Sequence, residues 1–375
     1  MNKFATVQSS TFKYPTKLKA SANKVSTYFP NSSIRFARYG ERVTGKMHPG
    51  SVLASLQSST QSYPRQEVVS SEDKTGTKRI AVVTGANRGI GFEITRQLAF
   101  SGVTVILTSR DEKRGSDAVN LLHREHNLSN ILLHQLDICD PNNVDSLAKF
   151  VQTRFGKLDI LVNNAGASGV VVDAEGLRAL KIDPQIWTSG KAVDMIKEVM
   201  RHTYDEAVKC LDTNYYGCKR VTEALLPFLK LSTSGARIVN VSSLRSELKR
   251  MPSEELRREL SNIDKLDEKK LENLISTFLD DFKNGRLEAA GWPNMLPAYS
   301  VSKMVLNAYT RILAKRYPKM CINCVGPGFV NTEINWNTGV LTPEEGARGP
   351  VMLALLPEGG STGCYFDQTV LAEAW

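Results

Sequence analysis

Between residues 79 and 375 apolar positions come in short runs, separated by stretches whose apolar residues recur at helical spacing. Ile80–Val83, Val103–Thr108, Ile131–Leu136, Leu158–Val162, Arg237–Val241, Met320–Val325 and Gly363–Phe366 read as strands. Most are nearly continuous in Val, Ile and Leu, as strands buried on both faces are. Helices are predicted over Phe92–Ala99, from Asp111 to about His126, and over Val144–Phe155, Thr203–Lys230 and Pro297–Tyr317. Alternation at this spacing predicts an α/β fold, a doubly wound, mostly parallel sheet flanked by helices and joined by right-handed crossovers.

Two stretches exceed what such a sheet needs, Ala167–His202 and Leu244–Leu296. Within the second, Ser253–Leu260 and Glu268–Phe282 are predicted helices. Leu271, Leu274, Ile275, Phe278 and Leu279 make one apolar face of the latter. This helical insertion reads as a layer covering the sheet, as a lid over a ligand, or as both.

Residues 1–78 show no such periodicity. They are rich in Ser, Thr, Lys and Arg, and Glu41 is the only acid before Glu67. That is the composition of an organellar transit peptide. A disordered tail, or a gene-model extension with the true start at Met47 or later, is the alternative. The transit reading is preferred; it implies a plastid destination, and the alternative a cytoplasmic one. Either way the segment is expected to be disordered, leaving 79–375 as a single domain.

Charge then changes little. The chain holds 48 Lys and Arg against 39 Asp and Glu; 12 and 4 of these lie in residues 1–78, which leaves 36 against 35. The basicity belongs to the leader, so the body offers no nucleic-acid footprint. No apolar run approaches the roughly 18 residues that span a bilayer. The six cysteines form no disulfide-like framework. Cys321-x-x-Cys324 lies inside a strand-like run with no second pair to complete a zinc site, so no metal is expected.

The candidate chemistry begins at Arg79–Gly91, RIAVVTGANRGIG. A strand, a glycine turn and a helix start make a phosphate cradle, because main-chain N–H groups point at an anion and glycines let it approach. The spacing is Gly85-x-x-x-Gly89-x-Gly91. Farther on, Tyr299-x-x-x-Lys303 places a phenol and an ammonium on one helix face. A phenol near pKa 10 is a poor acid–base group at neutrality, and a neighbouring cation favours its ionised form. Ser243 stands at the carboxyl end of a strand, on the rim where open α/β sheets bind ligands. Asn214 lies on the helix before that strand, where it can hold a proton-relay water near Lys303.

Gly85-x-x-x-Gly89-x-Gly91, Asn163-Asn164-Ala165-Gly166, Asn214, Ser243, Tyr299-x-x-x-Lys303 and Pro327-Gly328-x-x-x-Thr332 follow one another in the order of the short-chain dehydrogenase/reductase superfamily, which the whole of 79–375 resembles. The long Ser-to-Tyr segment and Gly291-Trp292-Pro293 resemble its monomeric carbonyl-reductase-like branch, with its plant reductases of terpenoid and alkaloid ketones. The resemblance implies a Rossmann-like domain with catalytic Asn214, Ser243, Tyr299 and Lys303. Tyr299 would protonate a ketone oxygen, Ser243 orient it, Lys303 lower the tyrosine's pKa and bind the ribose, and Asn214 keep a water relay. It further implies cofactor contacts at Gly85, Asn87, Arg88, Gly89, Ile90, Gly91, Asp137, Asn163, Ala165, Gly166, Pro327, Gly328, Val330 and Thr332. Gly326 departs from the pattern, since many relatives carry a bulkier residue there.

Arg88 and Arg110 can bracket a 2′-phosphate with fork-shaped hydrogen bonds, which favours NADPH; Asp111 is the dissenting residue. The implied activity is reduction of a small hydrophobic ketone, terpenoid first and alkaloid second. A non-catalytic NADPH-binding protein and an NAD-dependent alcohol oxidation are the alternatives. Trp187, Tyr204, Trp292 and Trp336 are candidate pocket walls, and the resemblance implies a monomer.

Overall fold

The computed structural model of the chain describes residues 78–375. Except for Lys78, the leader and its transit-peptide reading lie outside the described residues.

The first half follows the predicted alternation: β1 (Ile80–Val83), α1 (Gly89–Phe100), β2 (Thr104–Ser109), α2 (Glu112–His126), β3 (Ile131–Gln135), α3 (Pro141–Arg154) and β4 (Ile160–Asn163). Local chemistry sets the starts. Asp111 and Asp140 cap α2 and α3 by accepting from the main-chain N–H of Arg114 and Asn142. Helix α1 differs: Arg88 precedes it, no side chain caps it, and its first N–H groups stay open.

Residues 167–202 form a two-stranded antiparallel ribbon, β5 (Val171–Val172) with β6 (Met200–Arg201), enclosing the short helices α4 (Ala174–Ala179) and α5 (Pro184–Ser189). The one helix expected over Thr203–Lys230 is α6 (Tyr204–Leu211), a π turn over Asp212–Gly217, and α7 (Cys218–Leu229). The wide turn brings the chain against Ile138; a Cβ on Gly217 would stand 2.8 Å from its Cγ1. After β7 (Arg237–Val241) come α8 (Glu254–Ser261), α9 (Glu268–Lys283), α10 (Pro297–Arg316) and β8 (Cys321–Gly326). Two elements that the periodicity did not announce close the chain around β9 (Tyr365–Asp367). They are α11 (Pro343–Ala354), started by a Thr342–Glu345 capping box, and the edge strand β10 (Val370–Ala372).

The sheet runs β3-β2-β1-β4-β7-β8-β9-β10, with every neighbouring pair parallel except β9–β10. Side chains alternate across it. Val82, Ile106, Leu161, Ile238 and Ile322 pack into the layer of α3, α6, α7 and α10, whereas Val83, Leu107, Val162, Val239 and Val325 pack into that of α1, α2 and α11. The winding runs outward from β1 to β3 and then returns to β4. Between β1 and β4 it therefore leaves a crevice at the strands' carboxyl ends.

Helix α9 lies over α6 and α10, with Leu271, Leu274, Ile275 and Phe278 buried beneath it and Leu279 half-buried. Lys219 binds Glu268 and Glu272, each at 2.9 Å, and Arg316 adds a 2.7 Å contact to Glu268. The insertion is thus a cover on the helical layer, and no residue of α8 or α9 reaches the crevice wall. Trp292 belongs to this packing: it is buried edge-on against Phe278, its Nε1 donating to Asp281 Oδ2 at 2.9 Å. The departure at Gly326 also has a local reason. A Cβ there would stand 2.5 Å from the Tyr365 phenol oxygen, so that ring takes the space a side chain would need.

Candidate active site

The crevice holds about 880 Å³, within the range of cofactor and ligand sites. Its first wall is the glycine turn. Gly85 (φ +61°) and Gly89 (φ +56°) use the left-handed region that glycine enters without strain. At Gly91 a Cβ would lie 2.5 Å from Asn164 Nδ2 and 2.6 Å from the Gly85 carbonyl, so nothing larger fits. Thr84 Oγ1 accepts from the main-chain N–H groups of Asn164 (2.9 Å) and Ala165 (3.0 Å). Asn164 Nδ2 returns bonds to the carbonyls of Thr84 and Gly85 at 2.9 and 3.1 Å, locking the turn to the end of β4.

Asn87, Arg88 and Ile90 face the crevice from this turn, joined by Arg110 beyond β2 and Asp137 beyond β3. Arg88 is paired with Glu333 across the opening. Asp111, the dissenting acid, has its carboxylate on the N-terminus of α2. Ala165 and Gly166 line the wall after β4, and Pro327, Gly328 and Thr332 line it after β8.

Two of the expected contact residues turn their side chains away from the crevice, which leaves only their main chain to meet a cofactor. Asn163 turns away from the crevice, its Nδ2 donating to Thr222 Oγ1 (3.0 Å) and Asn240 Oδ1 (2.9 Å). It follows Leu161 by two, and the strand period sends both side chains to the α7–α10 face. Val330 is likewise buried below the wall, its side chain filling the space over Gly346.

Helix α10 brings Tyr299 and Lys303 to the opposite wall, one turn apart, beside Ser243 at the end of β7. Lys303 Nζ donates to the Val241 carbonyl at 2.8 Å and lies 5.7 Å from the Tyr299 ring centre. The two serines after β7 divide the work. Ser242 is buried and donates to Asn307 Oδ1 at 2.7 Å, while the half-buried Ser243 accepts the Arg245 N–H at 3.2 Å. Burial pushes Tyr299 up to about 12, against the opposing pulls of the Ser243 hydroxyl and the Arg245 charge. Burial pushes Lys303 down to about 8.

Asn214 stands behind this wall rather than in it. Its Oδ1 accepts from Ala167 N–H at 2.8 Å, and its Nδ2 donates to the Ala167 carbonyl at 3.0 Å and to Ser302 Oγ at 2.9 Å. Those bonds tie the π turn to the strand end and to α10. Of the candidate wall aromatics, Trp187 lines the crevice, stacked on Phe329 and edge-on to Trp336. Tyr204 packs on Phe282 and, like Trp292 and Trp336, is not part of the crevice wall. Sequence reasoning passed over Asn164, whose signal was the second Asn of the run at 163–166. It also passed over Arg245, whose position in an inserted loop gave none.

The residues fit a dinucleotide. A turn without room for Cβ atoms leads into an uncapped helix start, and the guanidinium residues Arg88 and Arg110 line the same crevice. With a half-buried tyrosine beside a buried lysine and a serine facing them, the site belongs to a nicotinamide-dependent oxidoreductase. A family model described as short chain dehydrogenase matches residues 79–254, and the chain belongs to that family. A (+)-neomenthol dehydrogenase from Arabidopsis thaliana is 50% identical over 79% of this chain and 98% of its own. The structure of salutaridine reductase from Papaver somniferum superposes with a TM-score of 0.72 at 44% identity, over 77% of this chain and 99% of that one. A mouse carbonyl reductase whose name carries NADPH is 39% identical over 74% of this chain and 91% of its own.

Proposed function

We propose that this protein uses NADPH to reduce the carbonyl of a small hydrophobic ketone, a menthone-like terpenoid first and an alkaloid ketone second. One observation carries the reading: Tyr299, Ser243 and Lys303 converge at the crevice's apolar end, beside the anion-cradling glycine turn. Arg88 and Arg110 would hold the 2′-phosphate, Asp137 the adenosine end, and Thr332 the phosphate side next to Gly89. Bound there, NADPH supplies a hydride. Tyr299 donates the proton to the ketone oxygen, and Ser243 holds that oxygen by its hydroxyl. Lys303 supplies the positive charge that eases the proton's departure from the phenol. Asn214 positions α10 by way of Ser302. The Asp111 carboxylate is engaged at the start of α2 and is not part of the crevice wall, whereas Arg110 is, which weighs against NAD-dependent oxidation. A binding protein without turnover would have no need of the whole Tyr–Ser–Lys set.

The test is oxidation of NADPH and NADH by the full chain against menthone, a bulky alkaloid ketone and simple aromatic carbonyls. NADPH turnover with a cyclic ketone is expected, and Tyr299→Phe should lower it by roughly 10²–10⁴-fold while NADPH still binds. Undiminished turnover in that variant would assign the acid to another group. Tight NADPH binding without turnover of any ketone would favour the binding role.

Two further parts of the reading concern the whole chain. It is a monomer, because α9 covers the outward faces of α6 and α10. Residues 1–78 direct it to the plastid, on the strength of their basic, acid-poor composition. Among the described residues no helix is long and apolar enough to cross a membrane.

A further inference from the structure

Arg245 is 5% exposed and forms part of the crevice wall, two residues beyond Ser243. One of its five N–H donors is engaged by a side-chain bond, from Nη2 to the Trp187 carbonyl at the end of α5. Its Nε and Nη1 have no acceptor among the described residues. No carboxylate bonds it directly: Glu247 is near enough to favour its charge but is shared with Lys249 at 3.0 Å and Arg250 at 3.1 Å. Burial and the neighbouring Arg250 push Arg245 down to about 10, against the pulls of Tyr299 and Glu247, and its free nitrogens are not sealed but keep access to open space.

Holding α5 does not account for it. Arg250 already anchors that helix end, donating to the Thr188 carbonyl at 3.0 Å. The cofactor's phosphates are not its evident partner either. The guanidinium's neighbours are the Trp187 carbonyl, Gly190, whose Cβ would meet Nη1 at 3.2 Å, and Tyr299, and none of these belongs to the glycine turn. Its companions there are the apolar walls Trp187, Leu296 and Phe329. A hydrocarbon ketone would seal this charge in the crevice without a partner. Resting on the reductase reading above, and narrowing its first choice from a bare hydrocarbon ketone such as menthone to an oxygenated one, we propose that the preferred ketone carries a second acceptor oxygen, anionic or neutral, received by the free edge of Arg245.

The test uses the full chain loaded with NADP⁺ and three ring ketones that differ at one position: 4-oxocyclohexanecarboxylate, 4-hydroxycyclohexanone and 4-methylcyclohexanone. Calorimetry gives each Kd, and turnover with NADPH gives kcat/KM. One or both oxygenated probes should bind at least about tenfold more tightly than the methyl probe. In Arg245→Met that ratio should fall to about one, and Arg245→Lys should keep part of it. A preference for the acid alone assigns an anionic substrate; equal preference for acid and alcohol assigns a neutral one. Equal binding of all three probes by the unmodified chain overturns the proposal, as does a ratio that survives in Arg245→Met or a uniform loss across the probes. NADPH affinity reports whether each variant is folded. Should Arg245→Met fail that check, the ratio in the unmodified chain and in Arg245→Lys decides. No turnover of any ketone with the binding ratio intact would remove the reductase reading and leave Arg245's role standing.

Discussion

Lys303 is buried to 4% exposure with its ammonium on a main-chain carbonyl, and burial brings it down to about 8 from an ordinary 10.5. Its charge is complete below about pH 8 and lost above it. Because the proposed mechanism needs that charge, kcat/KM for ketone reduction should fall as pH rises through about 8. A profile flat to pH 10 would separate Lys303 from the proton transfer. Stability runs the other way. Between about 8 and 10.5 the unfolded chain holds a proton that the folded one has shed, so stability rises with pH across that window. Below it the cost of burying the ammonium is present in full. Lys303→Met should therefore lose this rise in stability and abolish turnover. Scanning calorimetry of both proteins at about pH 7 and 10.5 checks this, since the comparison should shift against the variant at the higher pH. At the other end of the crevice, Arg88→Ala and Arg110→Ala should each raise KM for NADPH by about tenfold and leave KM for NADH nearly unchanged. Equal effects on both cofactors would remove the 2′-phosphate assignment.

At the scale of elements, the structure departs from simple periodicity at two close approaches. The π turn at Asp212–Gly217 interrupts what the apolar spacing reads as one helix. Its side-chain bonds at Asn214 reach residues 47 and 88 positions away in the chain. No local pattern encodes such partners. Strands β8 and β9 show the second case, where Tyr365 from one fills the space over Gly326 of the other. Gly326→Val should cost roughly 1–3 kcal/mol by overpacking, and adding Tyr365→Phe should return part of that loss by removing the phenol oxygen. Urea denaturation of the two single variants and the double variant measures the coupling. Strictly additive losses would place the clash elsewhere.

For the whole molecule, the cover formed by α8 and α9 decides which surfaces are left to meet another chain. With α6 and α10 beneath it and Lys219, Glu268, Glu272 and Arg316 joining the layers, the helical faces are used within one chain. Sedimentation at micromolar concentration should give the mass of one chain, and a dimer would refute the monomer reading.

The sequence by itself determined the alternating strands and helices, the glycine turn, the order of the site motifs and the Tyr299–Lys303 face. Each of these is local: apolar runs choose buried strands, glycines choose positive φ, and a spacing of four shares a helix face. The tertiary structure alone decided that Asn163 faces the helices while Asn164 braces the glycine turn. It also decided that Asp111 caps a helix, that Trp292 packs rather than lines a pocket, and that Arg245 enters the crevice with donors to spare. These outcomes depend on which distant groups the sheet brings within hydrogen-bond reach. That proximity is set by the winding of the whole chain, and no short window of sequence contains it.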